Sequence, residues 1–253
     1  MPNKLLAKSV AQKINDKLPG EDIAAQIPDF SAAYTLQDEV ASILQKNYGG
    51  IAGYKIAWNN VAQIAELSPN APATGHIFYD QVHQSGVQFP TDRFEQLVVE
   101  PEIIAVIGQD ITGPEQTPES VLPLITAYHA GFEIMDRRGS PQALQIHPPS
   151  IVANNIFNNG LVIGKDHEAT ADFSTIETVV YWDGKEILRK TDAAPQHPAL
   201  AVATVANILA KRGKKLRAGD KVLCGTHMPP FGVEKGTLRV TMGALGSAEF
   251  SYG

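Results

Sequence analysis

Val98-Val99-Glu100-Pro101-Glu102-Ile103-Ile104-Ala105-Val106-Ile107 is the stretch on which the reading of this chain turns. Its apolar residues alternate with the two-residue period of a β-strand, placing Val99, Ile103, Ala105 and Ile107 on one face. Glu100 and Glu102 then share the opposite face with Ile104 and Val106, about 7 Å apart along the strand. Two carboxylates aimed towards a core are costly unless a cation neutralises them. Pro101 between them cannot donate to a ladder, which predicts an edge or a bulge beside a site. A strand end emerging into water, with both glutamates solvated, is the alternative, and the motif alone leaves it open.

Gly131-Phe132-Glu133-Ile134-Met135-Asp136 adds a third carboxylate inside another strand-like run, with Glu133 on the face of Met135. Three hard oxygen ligands suit Mg²⁺ or Mn²⁺ in octahedral geometry and leave positions open for a bidentate ligand and a water. Gly53-Tyr54-Lys55-Ile56 places a lysine in a further apolar strand. A lysine there ordinarily snorkels to the surface. Beside three carboxylates and a dication, whose charges sum to −1, an ammonium has a balancing role instead.

Around these strands the chain predicts a mixed α/β (α+β) fold in one catalytic domain, residues 1–253, with a helical portion over 1–50 and a β-rich core over 51–253. Leu6, Val10, Ala11 and Ile14 line one helix, and Leu36, Val40, Ile43 and Leu44 a second. Thr35 and Asp38 predict a capping box that opens the second helix, and Gly49-Gly50 ends it. Strands are expected at Ile51–Trp58, Thr74–Tyr79, Phe132–Met135 and Gly160–Ile163. Asp183-Gly184 turns a hairpin between Glu177–Trp182 and Glu186–Arg189. Thr117-Pro118-Glu119 and His197-Pro198 open helices, Gly213 closes the latter, and Lys221–Tyr252 is β-rich.

Hydrophobic residues make up 43% and charged residues 19% of the chain, as in globular proteins, and the net charge of −6 is not that of a nucleic-acid binder. The basic run Lys211–Arg217 falls where a helix ends, which suits the helix dipole. The single cysteine, Cys224, excludes an internal disulfide and fits a reducing compartment. Met1-Pro2-Asn3-Lys4 lacks the apolar stretch of a signal peptide, and no run reaches the roughly 18–20 apolar residues of a membrane span. A cytoplasmic location follows, with no membrane partner. The seven histidines are too scattered for a zinc site. Gly108 and Gly164 lack the rest of a dinucleotide fingerprint.

Gly53-Tyr54-Lys55, Asp80, Phe89-Pro90, Glu100-Pro101-Glu102, Gly131–Asp136, Asn155, Gly160-Leu161-Val162-Ile163-Gly164, His197–Ala203, Leu216–Leu223 and Gly243-Ala244-Leu245-Gly246-Ser247 occur in an order and spacing that span most of the chain. In this the chain resembles the 2-oxopent-4-enoate hydratase and 4-oxalocrotonate decarboxylase family, within the fumarylacetoacetate hydrolase-like superfamily. The resemblance implies a distorted β-sheet roll with flanking helices, a homo-oligomer, and a Mg²⁺ or Mn²⁺ site. It assigns the metal to Glu100, Glu102 and Glu133, and acid–base work to Lys55 and Asp80. Asp136 is then expected behind the ligands, orienting one of them, while Asn155, Thr226 and Phe157 are candidates to touch substrate.

Four segments depart from the family pattern: Ala57-Trp58-Asn59-Asn60, Leu97-Val98, Ile156-Phe157-Asn158-Asn159 and Cys224-Gly225-Thr226. They bear on the pocket more than on the metal. The implied reaction is hydration of a 2-hydroxy-2,4-dienoate, a small 2-oxo acid in its other tautomer, in the catabolism of aromatic compounds. Decarboxylation of a 4-oxalocrotonate-like 2-oxo-3-enedioate shares the same chelate and electron sink. A third reading, from the altered segments, is a silent subunit that associates with a related enzyme of the same pathway. Hydrolytic C–C cleavage is disfavoured because no histidine precedes Gly53. His227, beside Thr226, is the one histidine placed to approach a substrate.

Overall fold

The computed structural model describes the chain apart from residues 1, 22, 68–70, 142–145, 170–171 and 193. Helices α1 (Pro2–Asn15) and α2 (Phe30–Tyr48) come first. Strands β1 (Ile51–Ala57) and β2 (Ala73–Phe78) flank the exposed helix α3 (Val61–Leu67), an element not anticipated from the sequence. Two short strands, β3 (Val82–Gln84) and β4 (Val87–Phe89), precede the long pair β5 (Leu97–Ile107) and β6 (Ile125–Asp136). The brief helix α4 (Pro118–Val121) joins that pair, and α5 (Pro148–Ala153) leads into β7 (Asn158–Ile163). The hairpin β8 (Glu177–Trp182) and β9 (Lys185–Thr191) is followed by α6 (Pro198–Lys211). The chain ends in β10 (Lys221–Thr226), β11 (Phe231–Gly232), β12 (Gly236–Met242) and β13 (Ser247–Tyr252).

Two mixed sheets result. One runs β2-β1-β10-β5-β6-β7-β3 with β11 beside β5, and the other β4-β13-β12-β8-β9. Val99, Ile103, Ala105 and Ile107 on one face of β5 pack into the main core, shared with α6 and with Val180, Leu238, Val240 and Phe250 of the second sheet. The other face curls. Ile77 of β2 packs with Leu161 and Ile163 of β7, so the two ends of the first sheet approach each other. The helices α1 and α2 cover the β2 end through a second apolar cluster that includes Phe78, Val152 and Ile156. The sheet is therefore rolled, with the glutamate face of β5 turned inwards.

Two local expectations need correction or refinement. The second helix begins at Phe30, capped by Asp29, whose carboxylate accepts from Ala32 N at 2.8 Å, and not at Thr35. Thr35 Oγ1 donates to Ser31 O within the helix, and Asp38 meets Arg212 and Lys214. The basic run after α6 thus does more than suit the helix dipole: through Arg212 and Lys214 it ties the end of α6 to α2. His197 does cap α6, accepting from Ala199 N at 3.1 Å, with Pro198 in the first turn. Among the described residues, no helix is long and apolar enough to cross a membrane.

Candidate active site

Strand register brings the glutamates together. Across the antiparallel β5–β6 pair, Glu100 lies opposite Glu133 and Glu102 opposite Gly131, so all three carboxylates leave one face. Their oxygens fall within 4.8 Å of one another. Lys55 reaches the same face by a longer route: it pairs with Leu223 of β10, which pairs with Ile104 of β5. Lys55 Nζ stands 2.8 Å from Glu133 Oε2, with both side chains buried.

Two breaks in register sit beside these carboxylates. A bulge between Leu223 and Thr226 turns the Gly225 amide towards Glu102, donating to Oε2 at 2.7 Å. Gly225 has φ +109°, and a Cβ there would lie 2.3 Å from Asn59 Nδ2, so only glycine fits. A second irregularity, between Glu133 and Met135, lets Asn158 Nδ2 donate to Glu133 Oε1 at 2.9 Å.

The electrostatics are those of a cation cage. Burial pushes the Glu100 carboxyl up to about 8; Lys55 opposes this and the Glu133 charge reinforces it. Burial, then Glu133 and Glu100, hold Glu102 well above the ordinary carboxylate range. Lys55 is under burial that lowers its pKa, yet the three glutamates outweigh it and the value is raised. Glu102 Oε1 is buried without a hydrogen-bond partner among the described residues. Three converging hard oxygens, one of them orphaned, fit a divalent cation that replaces the shared protons.

Beside the cage lies a cavity of about 650 Å³, lined by Lys55, Glu100, Trp58, Phe157, Thr226 and His227 among others. Asn155, Ile156 and Phe157 all have positive φ, 57°, 52° and 57°. Left-handed backbone costs roughly 1–2 kcal/mol per non-glycine residue, and a β-branched residue there is a marked outlier. The strained turn presents Ile156 and Phe157 to the cavity. Trp58, also left-handed at φ 57°, faces it from another departing segment, Ala57-Trp58-Asn59-Asn60.

The expected residues divide clearly. Lys55, Glu100, Glu102 and Glu133 converge, and Phe157 and Thr226 line the cavity. The Thr226 hydroxyl is committed to Met228 O. Asp80 does not join them. It is exposed, beside Gly49, because β2 runs antiparallel to β1 with Gly75 opposite Lys55 and Phe78 opposite Ile51. Asn155 is also displaced from its expected role: its amide donates to His76 O at 2.8 Å and accepts from His76 N at 2.7 Å, clamping the left-handed turn to β2. Asp136 points away from the ligands, accepting from Gln96 N, Glu95 N and Arg138 N, and so orders the 93–97 segment. Asn158, Arg137 and the Gly225 amide were not anticipated. The only sequence trace of Asn158 was the polar pair Asn158-Asn159 beside apolar Ile156-Phe157.

The sequence profile of the fumarylacetoacetate (FAA) hydrolase C-terminal family matches residues 54–250. A 4-oxalocrotonate decarboxylase of a Pseudomonas species is 25% identical over 250 residues, covering 96% of this chain and 93% of the relative. The 2-oxo-hept-4-ene-1,7-dioate hydratase of Escherichia coli is 26% identical, covering 96% and 95%. Among solved structures, 4-oxalocrotonate decarboxylase from Pseudomonas putida G7, complexed with magnesium and adipate, superposes with a TM-score of 0.88 at 22% identity, covering 99% and 97%. That similarity establishes the fold, two mixed sheets with flanking helices.

Proposed function

The chain belongs to the fumarylacetoacetate (FAA) hydrolase C-terminal family, and we propose that it is a divalent-metal-dependent lyase that adds water to a 2-hydroxy-2,4-dienoate. The observation that carries this reading is the convergence of Glu100, Glu102 and Glu133 within 4.8 Å, with Lys55 against Glu133 and a cavity opening beside them. The hydratase and decarboxylase names of its relatives agree with it. Glu100, Glu102 and Glu133 would hold Mg²⁺ or Mn²⁺, which supplies a Lewis acid to the 1-carboxylate and 2-oxygen of a chelating 2-oxo acid.

The protein's own groups do the rest. Gly225 N and Asn158 Nδ2 hold Glu102 and Glu133 in place from behind, fixing where a chelate can sit. Lys55 Nζ is the cation on the carboxylate face and the group placed to move a proton near the 2-oxygen. Net hydration puts a hydroxyl on C4 and a hydrogen on C5, while the enol proton relocates to C3. Phe157, Ile156, Trp58 and Met135 supply apolar wall to the cavity beside the glutamates.

Loss of carbon dioxide from a 2-oxo-3-enedioate is the second reading. The position of Asp80 favours it, since one expected proton carrier is absent from the cavity and decarboxylation requires a single protonation. Incubating the Mg²⁺-loaded protein with a 2-hydroxy-2,4-dienoate and with 4-oxalocrotonate, then reading product masses, separates them. A gain of one water supports the hydratase, and loss of carbon dioxide the decarboxylase. No change in either, with metal bound, overturns both.

A further inference from the structure

One peptide unit stands between the carboxylate cage and the segment that follows β1. β10 pairs with β5 as far as Leu223 opposite Ile104, and pairing resumes only at Thr226 opposite Glu102. The Cys224–Gly225 peptide falls inside that break, and its two polar ends meet two side chains. Gly225 N donates to Glu102 Oε2 at 2.7 Å, and Cys224 O accepts from Asn59 Nδ2 at 3.2 Å. A carbonyl only accepts, so the amide nitrogen of Asn59 is the atom on that side. Asn59 is buried, 7% exposed, at the border of the cavity.

The residues on either side of Asn59 put it there. Trp58, with φ 57°, turns the chain out of β1, and its ring stands edge-on to Phe30 of α2 with 6.2 Å between centroids. Asn60 serves α3 instead, its Oδ1 accepting from Gln63 N at 2.9 Å. Asn59, between them, packs against β10. A Cβ at residue 225 would lie 2.3 Å from Asn59 Nδ2, 2.9 Å from its Oδ1 and 2.9 Å from Pro195 Cγ. The carboxamide therefore fills the space that the glycine leaves, and it holds the peptide by shape as well as by its hydrogen bond.

We propose that Asn59 is a positioning residue for the metal ligand Glu102, acting through the Cys224–Gly225 peptide. This rests on the reading of the three glutamates as a cation cage. A hydrogen bond to the carbonyl of a peptide polarises the unit and strengthens donation from the N–H at its other end. It also resists rotation of the peptide plane, which glycine at φ 109° would otherwise allow and which would swing Gly225 N off the carboxylate. Held through Oε2, Glu102 keeps one oxygen free. That atom, Oε1, is buried and has no hydrogen-bond partner among the described residues. Asn59 thus fixes Oε1 as the oxygen that Glu102 offers to a cation.

The test is calorimetric titration of Mn²⁺ into the metal-free protein, with electron paramagnetic resonance of the bound ion. Asn59→Leu keeps the branched shape and drops the donor, and Asn59→Ala drops it with no demand on space. Both are expected to weaken Mn²⁺ about 10- to 100-fold and to change the zero-field splitting of the bound ion, as one ligand loosens. Asn59→Gln keeps an amide, with the cavity beside it for the extra methylene, and is expected to recover about threefold or more of the lost affinity. Unchanged Mn²⁺ affinity and spectrum in the leucine and alanine variants, with only the metal-free melting temperature lowered, would make Asn59 a support of its loop and overturn the proposal. A glutamine variant as weak as both others would also overturn it, since the loss would then follow packing and not the donor. If the wild-type protein does not bind Mn²⁺, the cage reading itself fails and the positioning role with it.

Discussion

Removing the divalent cation should make the stability of this protein fall as pH rises, against the usual behaviour of buried carboxylates in ion pairs. Glu100 is pushed from 4.5 up to about 8 by burial and by Glu133, with Lys55 opposing. The folded state thus keeps a proton on Glu100 that the unfolded chain gives up near 4.5. A group whose folded pKa is raised stabilises the fold at low pH and loses that contribution as pH climbs towards the folded value. The window must avoid the histidines. Burial lowers His76 to about 3, His83 and His227 to about 4, and His129 below its ordinary value, so up to about pH 7.5, where unfolded imidazoles still carry protons, they add stability with rising pH and mask the effect.

Between about pH 7.5 and 8.5 those rings are almost wholly neutral in both states and Glu100 acts with the same sign as Glu102. At 1.36 kcal/mol per unit the loss from Glu100 alone is at most about 1 kcal/mol, and less because its edge on the cavity is screened by solvent. A chain of this size converts that into a drop of roughly 2–4 °C in melting temperature. Calorimetric melting of chelator-treated protein across this window, beside Mg²⁺- or Mn²⁺-saturated samples, reads it directly. The gap between the two should widen with pH, because metal binding needs the deprotonated carboxylates. Glu100→Gln should flatten the metal-free slope. A melting temperature that is constant or rises with pH in the metal-free protein would refute the clustered, buried carboxylates on which the site is built.

Other consequences are equally direct. Lys55→Met should reduce turnover at least about 100-fold while Mn²⁺ still binds, since the ammonium handles protons and is no metal ligand; parallel kinetics and calorimetry decide it. Asn158→Leu removes the hydrogen bond to Glu133 Oε1 and should weaken Mn²⁺ by about 10- to 100-fold, and unchanged affinity would deny Asn158 a share in orienting the ligand. Asp80→Asn, on an exposed residue in the turn just after β2, should leave turnover within about twofold. A collapse of activity there would show that Asp80 serves a site that a single subunit does not contain.

These predictions also mark where sequence reasoning runs out. The two-residue period of β5 was enough to put Glu100 and Glu102 on one face, because alternation is a local property of a strand. The partnership with Glu133 depends on how β6 registers against β5 across a 17-residue connection, and nothing local encodes it. Lys55 reaches the site only because β10, late in the chain, inserts between β1 and β5. Asp80 shows the reverse: the residue is in its family-like place in the sequence, but strand direction carries it past the end of β2, into the turn that follows. Asn155 could serve a ligand or a backbone, and the strained turn behind it takes the whole amide. The unanticipated partners of the glutamates, Gly225 N and Asn158 Nδ2, both arise at breaks in register. At Gly225 the bulge releases a backbone N–H that a regular ladder would consume, at Asn158 the irregularity aims a side-chain amide, and each donor faces a carboxylate. The orientation of the cage is therefore set by irregularities in pairing, while the alternation that made the glutamates visible sets only which way they face.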